Sequence, residues 1–168
     1  MIKIFLADDH ILIREGLKRL INIEPDIRVI GESADPVEIL KATKEGDYDI
    51  LILDITLPQK SGLEILKEVK AMDPSAKVLI LSMHPEERFA IRSLKAGAYG
   101  YLTKESAGDD IILAIKKIAS GRRYLSESLA EKLAGGLELA KNKLPHEILS
   151  DREFEILRYI AQGKALTE

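Results

Sequence analysis

The sequence predicts an open, doubly wound α/β fold built on a five-stranded parallel sheet. Short apolar runs alternate five times with amphipathic stretches within residues 1–120, which is typical of β-α repeats. The runs at 50–53 and 78–81 contain no polar residue, as expected for strands that helices cover on both faces. Because open sheets of this kind bind ligands beyond the carboxyl ends of their strands, we expect chemistry at that edge.

Each element has local signals in the sequence. The pattern predicts strands at 2–7, 27–33, 48–53, 77–82 and 99–102, in the order 2-1-3-4-5, and helices at 12–23, 37–45, 63–72, 86–96 and 109–120. Asp35 followed by Pro36 is a helix start signal, and Ser61 with Glu64 forms a capping box. Gly46 and Gly97 follow their helices as C-terminal caps.

The pattern changes after residue 120. A linker helix is predicted at 126–141, weakened by Gly135-Gly136, and a break follows at 143–146. Ser150 and Glu153 then form a second capping box, which opens an amphipathic helix that ends at Gly163. We therefore predict an α/β domain at 1–122, a linker at 123–147 and an all-α fragment at 148–168.

Composition excludes several classes of protein. Hydrophobic residues make up 46% and charged residues 32% of the 168 residues, an ordinary globular mixture. Neither a membrane span nor a signal peptide is recognisable, and the absence of cysteine excludes disulfide scaffolds and favours a cytoplasmic location. Residues 1–120 hold 17 basic and 20 acidic residues, and residues 121–168 hold 8 of each, so no basic nucleic-acid surface is indicated.

Polar residues follow the predicted strands at the edge where ligands bind. Asp8 and Asp9 follow the first strand, Asp54 ends the third, Ser82 ends the fourth and Lys104 follows the fifth. Three neighbouring carboxylates repel one another unless a cation neutralises them, and Mg²⁺ (or Mn²⁺) suits carboxylate ligands. A carboxylate can also attack phosphorus to form an aspartyl phosphate, with a lysine and a hydroxyl stabilising the phosphoryl oxygens.

Each of these residues also has an ordinary structural interpretation. A single aspartate at a strand end is usually a turn or cap residue, and a single lysine there is usually solvated. His10 and His84 are interpreted as loop or helix-entry residues rather than ligands. The phosphoryl hypothesis depends on all the residues lying together at one edge of one sheet.

Four segments, taken in order, resemble the receiver domain of response regulators. They are residues 6–10, 51–58 with Ser61-Gly62, 80–82 and 97–104. Residues 149–153, with 157 and 160–164, resemble the start of a LuxR-type helix-turn-helix. The combination is similar to the NarL/FixJ class of transcriptional regulators, which implies a flavodoxin-like receiver followed by a DNA-binding unit.

The resemblance implies a role for each site residue. Asp54 would be the phospho-acceptor and Lys104 would bind the phosphoryl group. Asp9 would ligate Mg²⁺ directly, Asp8 would act mostly through water, and the main-chain carbonyl of Thr56 would complete the protein ligands.

The resemblance also implies a conformational switch. Ser82 and Tyr101 would form the switch pair, in which the hydroxyl moves toward the phosphate and the ring follows inward. Pro58 and Gly62 would shape the loop after the acceptor. Glu105 stands where many receivers have proline, so a changed loop with intact chemistry is expected.

The implied function is that of a two-component response regulator rather than an enzyme in the ordinary sense. The implied partners are a cognate histidine kinase and, on phosphorylation, a second copy of the chain in a homodimer. No association with a membrane is implied. Promoter DNA is expected as a partner only for a full-length protein. The recognition helix of a LuxR-type unit is not present in residues 148–168, so we expect no specific DNA binding by these 168 residues.

Two alternative functions remain open on the sequence. A stand-alone receiver could act through protein interaction or phosphotransfer without DNA. A metal-dependent phosphatase of the haloacid-dehalogenase type would need a second acid two residues after its nucleophile, but residue 56 is threonine.

Overall fold

A computed structural model describes residues 1–136, without the side chains of residues 87, 88 and 132–136. The chain divides into two compact units, Met1–Leu129 and Ala130–Glu168. Strands and helices alternate along the first unit. They are β1 (Ile2–Ala7), α1 (Ile11–Asn22), β2 (Ile27–Ser33), α2 (Pro36–Glu45), β3 (Ile50–Asp54), α3 (Gly62–Met72), β4 (Lys77–Ser82), α4 (Glu86–Lys95), β5 (Gly100–Thr103) and α5 (Ala107–Ala119), and a further helix, α6 (Glu127–Gly136), begins in it.

The five strands form one parallel sheet in the order β2-β1-β3-β4-β5. This confirms the predicted fold class and strand order. Every residue of β3 is buried, which fits a central strand covered on both faces. The core between the sheet and helices α1 and α5 is aliphatic and includes Ile4, Ile52, Leu79 and Ile115.

The predicted helix signals operate as expected. The Asp35 side chain accepts a hydrogen bond from the Val37 N–H, with Pro36 in the first helical position. Both hydrogen bonds of the Ser61–Glu64 capping box are present. These caps satisfy N–H groups that a helix cannot pair internally. The predicted helices therefore begin and end within about two residues of the observed ones, the margin within which helix ends are usually defined.

The chain after α5 returns to the β5 edge of the sheet. It turns at Gly121, where φ is 83°, and the Tyr124 N–H donates to the Tyr99 carbonyl at 2.8 Å. Tyr124 and Leu129 are buried, and burial raises the pKa of Tyr124 to about 12. The Ser126 hydroxyl also contacts Glu86 at the start of α4. These contacts explain why the first compact unit extends to Leu129.

No helix within residues 1–136 is long and apolar enough to cross a membrane. The predicted remainder of the linker helix, the break at 143–146 and the helix-turn-helix fragment at 148–168 lie outside the described residues.

Candidate functional site

The carboxyl ends of four strands bring the predicted site residues to one edge of the sheet. Asp8 and Asp9 directly follow β1, and Asp54 is the last residue of β3, which pairs with β1. Ser82 ends β4, and Lys104 directly follows β5. The Lys104 N–H donates to the Ser82 carbonyl at 2.8 Å, so the last two residues are held side by side.

Lys104 contacts two of the three acids. Its Nζ lies 2.7 Å from Asp8 Oδ2 and 2.7 Å from Asp54 Oδ2. The three side chains are almost fully enclosed, with exposed fractions of 3% for Lys104, 4% for Asp8 and 1% for Asp54. Buried charges are stable only when they are paired. The pairing of Lys104 with both carboxylates therefore allows these three charges to be buried together.

Asp54 lies in an environment that opposes its ionisation. Burial raises the pKa of its carboxyl above the ordinary value, while the hydrogen bonds from Lys104 and from the Thr56 N–H act in the opposite direction. The Thr56 N–H reaches Asp54 Oδ1 at 3.0 Å. Thr56 thus holds the Asp54 carboxylate through its main-chain N–H. Its side chain is exposed and is not the second acid that a phosphatase of the haloacid-dehalogenase type would need.

Two carboxylate oxygens at this edge have spare capacity to bind a cation. Asp8 Oδ2 and Asp9 Oδ1 are buried and accept no hydrogen bond. Asp8 Oδ2 forms an ion pair with the Lys104 ammonium at 2.7 Å, and Asp9 Oδ1 lies 2.8 Å from His10 Nδ1. Ligand atoms of Asp8, Asp9, His10 and Asp54 all lie within 4.8 Å of one another. The donor set fits a hard divalent ion.

His10 belongs to this cluster, although the sequence analysis interpreted it as a loop or helix-entry residue rather than a ligand. Its Nδ1 lies 3.1 Å from Asp8 Oδ1, 2.8 Å from Asp9 Oδ1 and 3.3 Å from Lys104 Nζ. The signal available in the sequence was its position directly after the acid pair. That position alone does not show whether the ring turns toward the acids or toward solvent.

Arg14 is a second residue that the sequence analysis did not identify. It lies one turn into α1, and its Nη1 donates a short hydrogen bond to the main-chain carbonyl of Asp8. Its Nε is buried 3.6 Å from Glu32 Oε2, at the end of β2. Arg14 therefore ties the loop that carries both acids to the first helix and to the neighbouring strand.

Gly62 is required by the packing behind Asp54. A Cβ at this position would lie 2.1 Å from the Asp54 carbonyl oxygen and 2.7 Å from Ile55 Cα. The Gly62 N–H also donates to the Ile55 carbonyl at 2.8 Å. The first turn of α3 thus packs directly on the backbone at the end of β3.

The predicted switch pair, Ser82 and Tyr101, is fully buried. The Ser82 Oγ accepts a hydrogen bond from the His84 N–H at 3.0 Å. The Tyr101 hydroxyl donates to the His84 carbonyl at 2.8 Å. Both side chains therefore contact the main chain of His84 in this conformation, and their movement on phosphorylation stays a prediction.

The loop after Lys104 is closed by side chains. The Thr103 hydroxyl donates to Ser106 Oγ at 3.0 Å, and the Ser106 N–H donates to Thr103 Oγ1 at 3.2 Å. The peptide bond to Glu105 is trans, as are all others in the described residues. These contacts fix the loop beside Lys104.

Comparison with known proteins agrees with this geometry. Residues 4–116 match the response regulator receiver domain family. The response regulator UvrY of Escherichia coli K12 is 31% identical over an alignment that covers all of this chain and 78% of that protein. The nitrate/nitrite response regulator protein NarL of the same organism is 35% identical, covering 95% of this chain and 75% of that protein.

A solved structure shows the same architecture. The crystal structure of a LuxR-family two-component response regulator from Aurantimonas sp. SI85-9A1 superimposes with a TM-score of 0.74 at 38% identity. The match covers 80% of this chain and 96% of that one. Sequence family, relatives and fold agree with the arrangement of acids and lysine at the sheet edge, and the chain therefore belongs to the two-component response regulators, in their NarL/FixJ, LuxR-type branch.

Proposed function

We propose that Asp54 accepts a phosphoryl group from the phosphohistidine of a cognate histidine kinase. The observation that carries the proposal is the Lys104 ammonium, which lies 2.7 Å from carboxylate oxygens of both Asp54 and Asp8 inside the sheet edge. A cation held at this distance can follow the transferring group, because phosphoryl transfer is catalysed mainly by positioning and by charge stabilisation.

The reaction is a displacement at phosphorus. A carboxylate oxygen of Asp54 forms the new O–P bond as the N–P bond of the donor breaks, and the leaving imidazole nitrogen takes the electron pair and then a proton. Lys104 neutralises charge on the phosphoryl oxygens during transfer. The Thr56 N–H holds the Asp54 carboxylate at 3.0 Å, which fixes the direction of attack, and the buried Ser82 hydroxyl donates to the product phosphate.

Mg²⁺ (or Mn²⁺) would be held by Asp8, Asp9, Asp54 and the main-chain carbonyl of Thr56. When bound, the ion supplies positive charge that offsets the crowded carboxylates and the phosphoryl oxygens. The oxygens of Asp8 and Asp9 that accept no hydrogen bond are the support for this assignment.

The output is a change of partner rather than turnover of a substrate. Phosphorylation repacks Ser82 and Tyr101 and alters the face formed by α4, β5 and α5, and only contacts that differ between the two states can shift the population. With a receiver at 1–122, a linker at 123–147 and a helix-turn-helix beginning at 148, the cytoplasmic full-length protein would regulate transcription at promoter DNA.

The direct test is phosphorylation by a small-molecule phosphodonor such as acetyl phosphate, with Mg²⁺ present. We expect intact-protein mass spectrometry to show the gain of one phosphoryl group in the wild type and none in Asp54→Asn. Asp49→Asn, an exposed acid at the opposite edge of the sheet, is the matched control and should label normally. Stoichiometric labelling of Asp54→Asn would show that the acceptor assignment is wrong.

We further propose that phosphorylation produces a homodimer through α5. Its residues Ile111, Ile115 and Ile118 are buried in the core, but Leu113 is 60% exposed, so it is an apolar side chain of α5 that a second copy of the chain could cover. Light scattering after phosphorylation should show a dimer for the wild type and a monomer for Leu113→Glu, with equal labelling of both. An undiminished dimer in Leu113→Glu would place the interface elsewhere.

A further inference from the structure

The His10 ring, at the start of α1, faces the acid cluster. His10 is the N-cap residue of this helix, with extended backbone angles and no hydrogen bond from its side chain to the helix. Its N–H donates to Asp8 Oδ1 at 2.7 Å. The imidazole is thus not used for capping, and its Nδ1 faces the carboxylates.

The distances around Nδ1 correspond to those between ligands that share one metal ion. In an octahedral site with bonds of about 2.1 Å, neighbouring ligand atoms are about 3.0 Å apart and opposite ones about 4.2 Å apart. His10 Nδ1 lies 2.8 Å from Asp9 Oδ1, 3.1 Å from Asp8 Oδ1 and 3.8 Å from Asp54 Oδ2. The first two distances match neighbouring positions, and the third is intermediate between the two values.

A second observation points to a ligand in the same place. The Asp8 side chain is 4% exposed, and its Oδ2 is buried without a hydrogen bond. Buried carboxylate oxygens are normally hydrogen-bonded or bound to a metal. Asp8 belongs to the group of four residues whose ligand atoms, one from each residue, lie within 4.8 Å of one another and include one from His10. The Lys104 ammonium, 2.7 Å from Asp8 Oδ2, is the cation nearest to this oxygen among the described ion pairs.

We propose that His10 binds the metal directly through Nδ1, so that the site prefers transition ions such as Ni²⁺ or Zn²⁺ over Mg²⁺ more strongly than carboxylates alone would. Imidazole suits Zn²⁺, Ni²⁺, Cu²⁺ and Fe²⁺, whereas Mg²⁺ prefers oxygen ligands. The ring has room for this role, because the side chain is 48% exposed and its Nε2 can carry the proton. The inference deepens the proposed metal site and rests on it.

Isothermal titration of Mg²⁺ and of Ni²⁺ tests the assignment by selectivity. His10→Gln should lower the affinity for Ni²⁺ by about 10–100-fold, at least the loss seen when a ligand's supporting partner is removed, and should leave the Mg²⁺ affinity nearly unchanged. His84→Gln is the matched control for Ni²⁺ binding at an unrelated histidine and should change neither affinity. If His10→Gln changed both affinities by the same factor, the ring would only hydrogen-bond to the carboxylates and the proposal would be wrong.

A measurement on the wild-type protein tests the proposal without requiring that His10→Gln folds normally. Addition of Zn²⁺ should shift the Nδ1 resonance of His10 in ¹⁵N spectra of the histidine rings, and an unshifted Nδ1 with bound Zn²⁺ would contradict direct ligation. Failure of the proposed function would look different, because Asp54 would then not label with phosphodonor. Normal labelling and Mg²⁺ binding, with an unchanged ratio of affinities, would overturn only the role of His10.

Discussion

Two lysines at opposite edges of the sheet have contrasting contacts. At the carboxyl edge, the enclosed Lys104 Nζ lies between the carboxylates of Asp8 and Asp54. At the amino edge, the partly buried Lys70 Nζ donates to the carbonyls of Pro74 and Ala76 and lies 5.0 Å from the centre of the Tyr99 ring. One ammonium contacts two carboxylates, whereas the other is hydrogen-bonded to main-chain carbonyls.

The contrast separates a functional edge from a supporting one. Burial lowers the pKa of Lys70 and raises that of Asp54, so enclosure disfavours the charge in both places. The Lys70 contacts hold the turn that leads into β4 and the residue before β5. The carboxyl edge instead retains carboxylate oxygens without hydrogen bonds, as expected where charge must be available for a ligand.

Loss of the two lysines should therefore affect different properties, and phosphorylation should show the largest difference. Lys104→Met should slow phosphorylation by small-molecule donors by about 10²–10³-fold, the usual cost of removing one group that stabilises transition-state charge. Lys70→Met should label at the wild-type rate. Time-resolved mass spectrometry measures both rates, and equal rates for the two variants would remove the distinction between the edges.

Alanine substitutions at two glycines, one packed against Asp54 and one in open space, should have opposite effects on stability. Gly62→Ala should lower the free energy of unfolding by about 3 kcal/mol, because the new methyl group would overlap the Asp54 backbone and overpacking costs this much. Gly108→Ala, in α5, has no atom within 4 Å of the new Cβ and should stabilise the protein by about 0.5–1 kcal/mol. Urea denaturation measures both, and a neutral Gly62→Ala would show that α3 can move away from Asp54.

Substitution of Lys70 should change the free energy of unfolding, although it should not change the rate of phosphorylation. Lys70→Met keeps most of the apolar stem but leaves the carbonyls of Pro74 and Ala76 without their donor. We expect the free energy of unfolding to fall by about 1–2 kcal/mol, the net worth of such hydrogen bonds. Lys67→Met, an exposed position on the same helix, is the control, and an equal loss in both variants would contradict a special role for Lys70.

Asp54→Asn should change stability in the opposite direction, by a smaller amount. Asparagine still accepts hydrogen bonds from Lys104 and Thr56, but it removes a buried charge. Because burial raises the pKa of Asp54, the folded state binds this proton more tightly than the unfolded state, so its ionisation costs stability as pH rises. Without metal, the variant should be more stable at pH 7 by on the order of 1 kcal/mol.

The pH dependence of that gain is its check. The advantage of Asp54→Asn should shrink as pH falls and vanish below about 4, where the carboxyl becomes protonated in the unfolded state as well as in the folded state. Thermal unfolding in EDTA across this range measures the difference. An asparagine variant that is less stable than the wild type by a constant amount at every pH would show that the carboxylate stabilises the fold.

Most of the fold could be predicted because its signals are local. The runs at 50–53 and 78–81 needed only apolar composition, and the helix starts at Asp35 and Ser61 needed only capping residues. The strand order is that of a flavodoxin-like receiver, and with this order the meeting of Asp8, Asp54 and Lys104 followed from the rule that ligands bind beyond the carboxyl ends of parallel strands.

The parts that were missed depend on side-chain direction. His10 and Arg14 are polar residues near a helix start, and sequence spacing does not determine whether such side chains turn inward. The hydrogen bond from the Tyr101 hydroxyl to the His84 carbonyl was not predicted either, and it joins residues 17 positions apart. Such contacts are set by tertiary packing rather than by any local pattern.

The central claim is that Asp8, Asp9, Asp54 and Lys104 form one pocket for a cation and a phosphoryl group. A crystal structure with Mg²⁺ and beryllofluoride, which mimics a phosphoryl group, tests it directly. We predict the mimic on Asp54, with Lys104 Nζ and Ser82 Oγ within hydrogen-bond distance of its fluorines and the metal bound to Asp9. A mimic bound elsewhere, or a metal that contacts none of the three acids, would contradict the account.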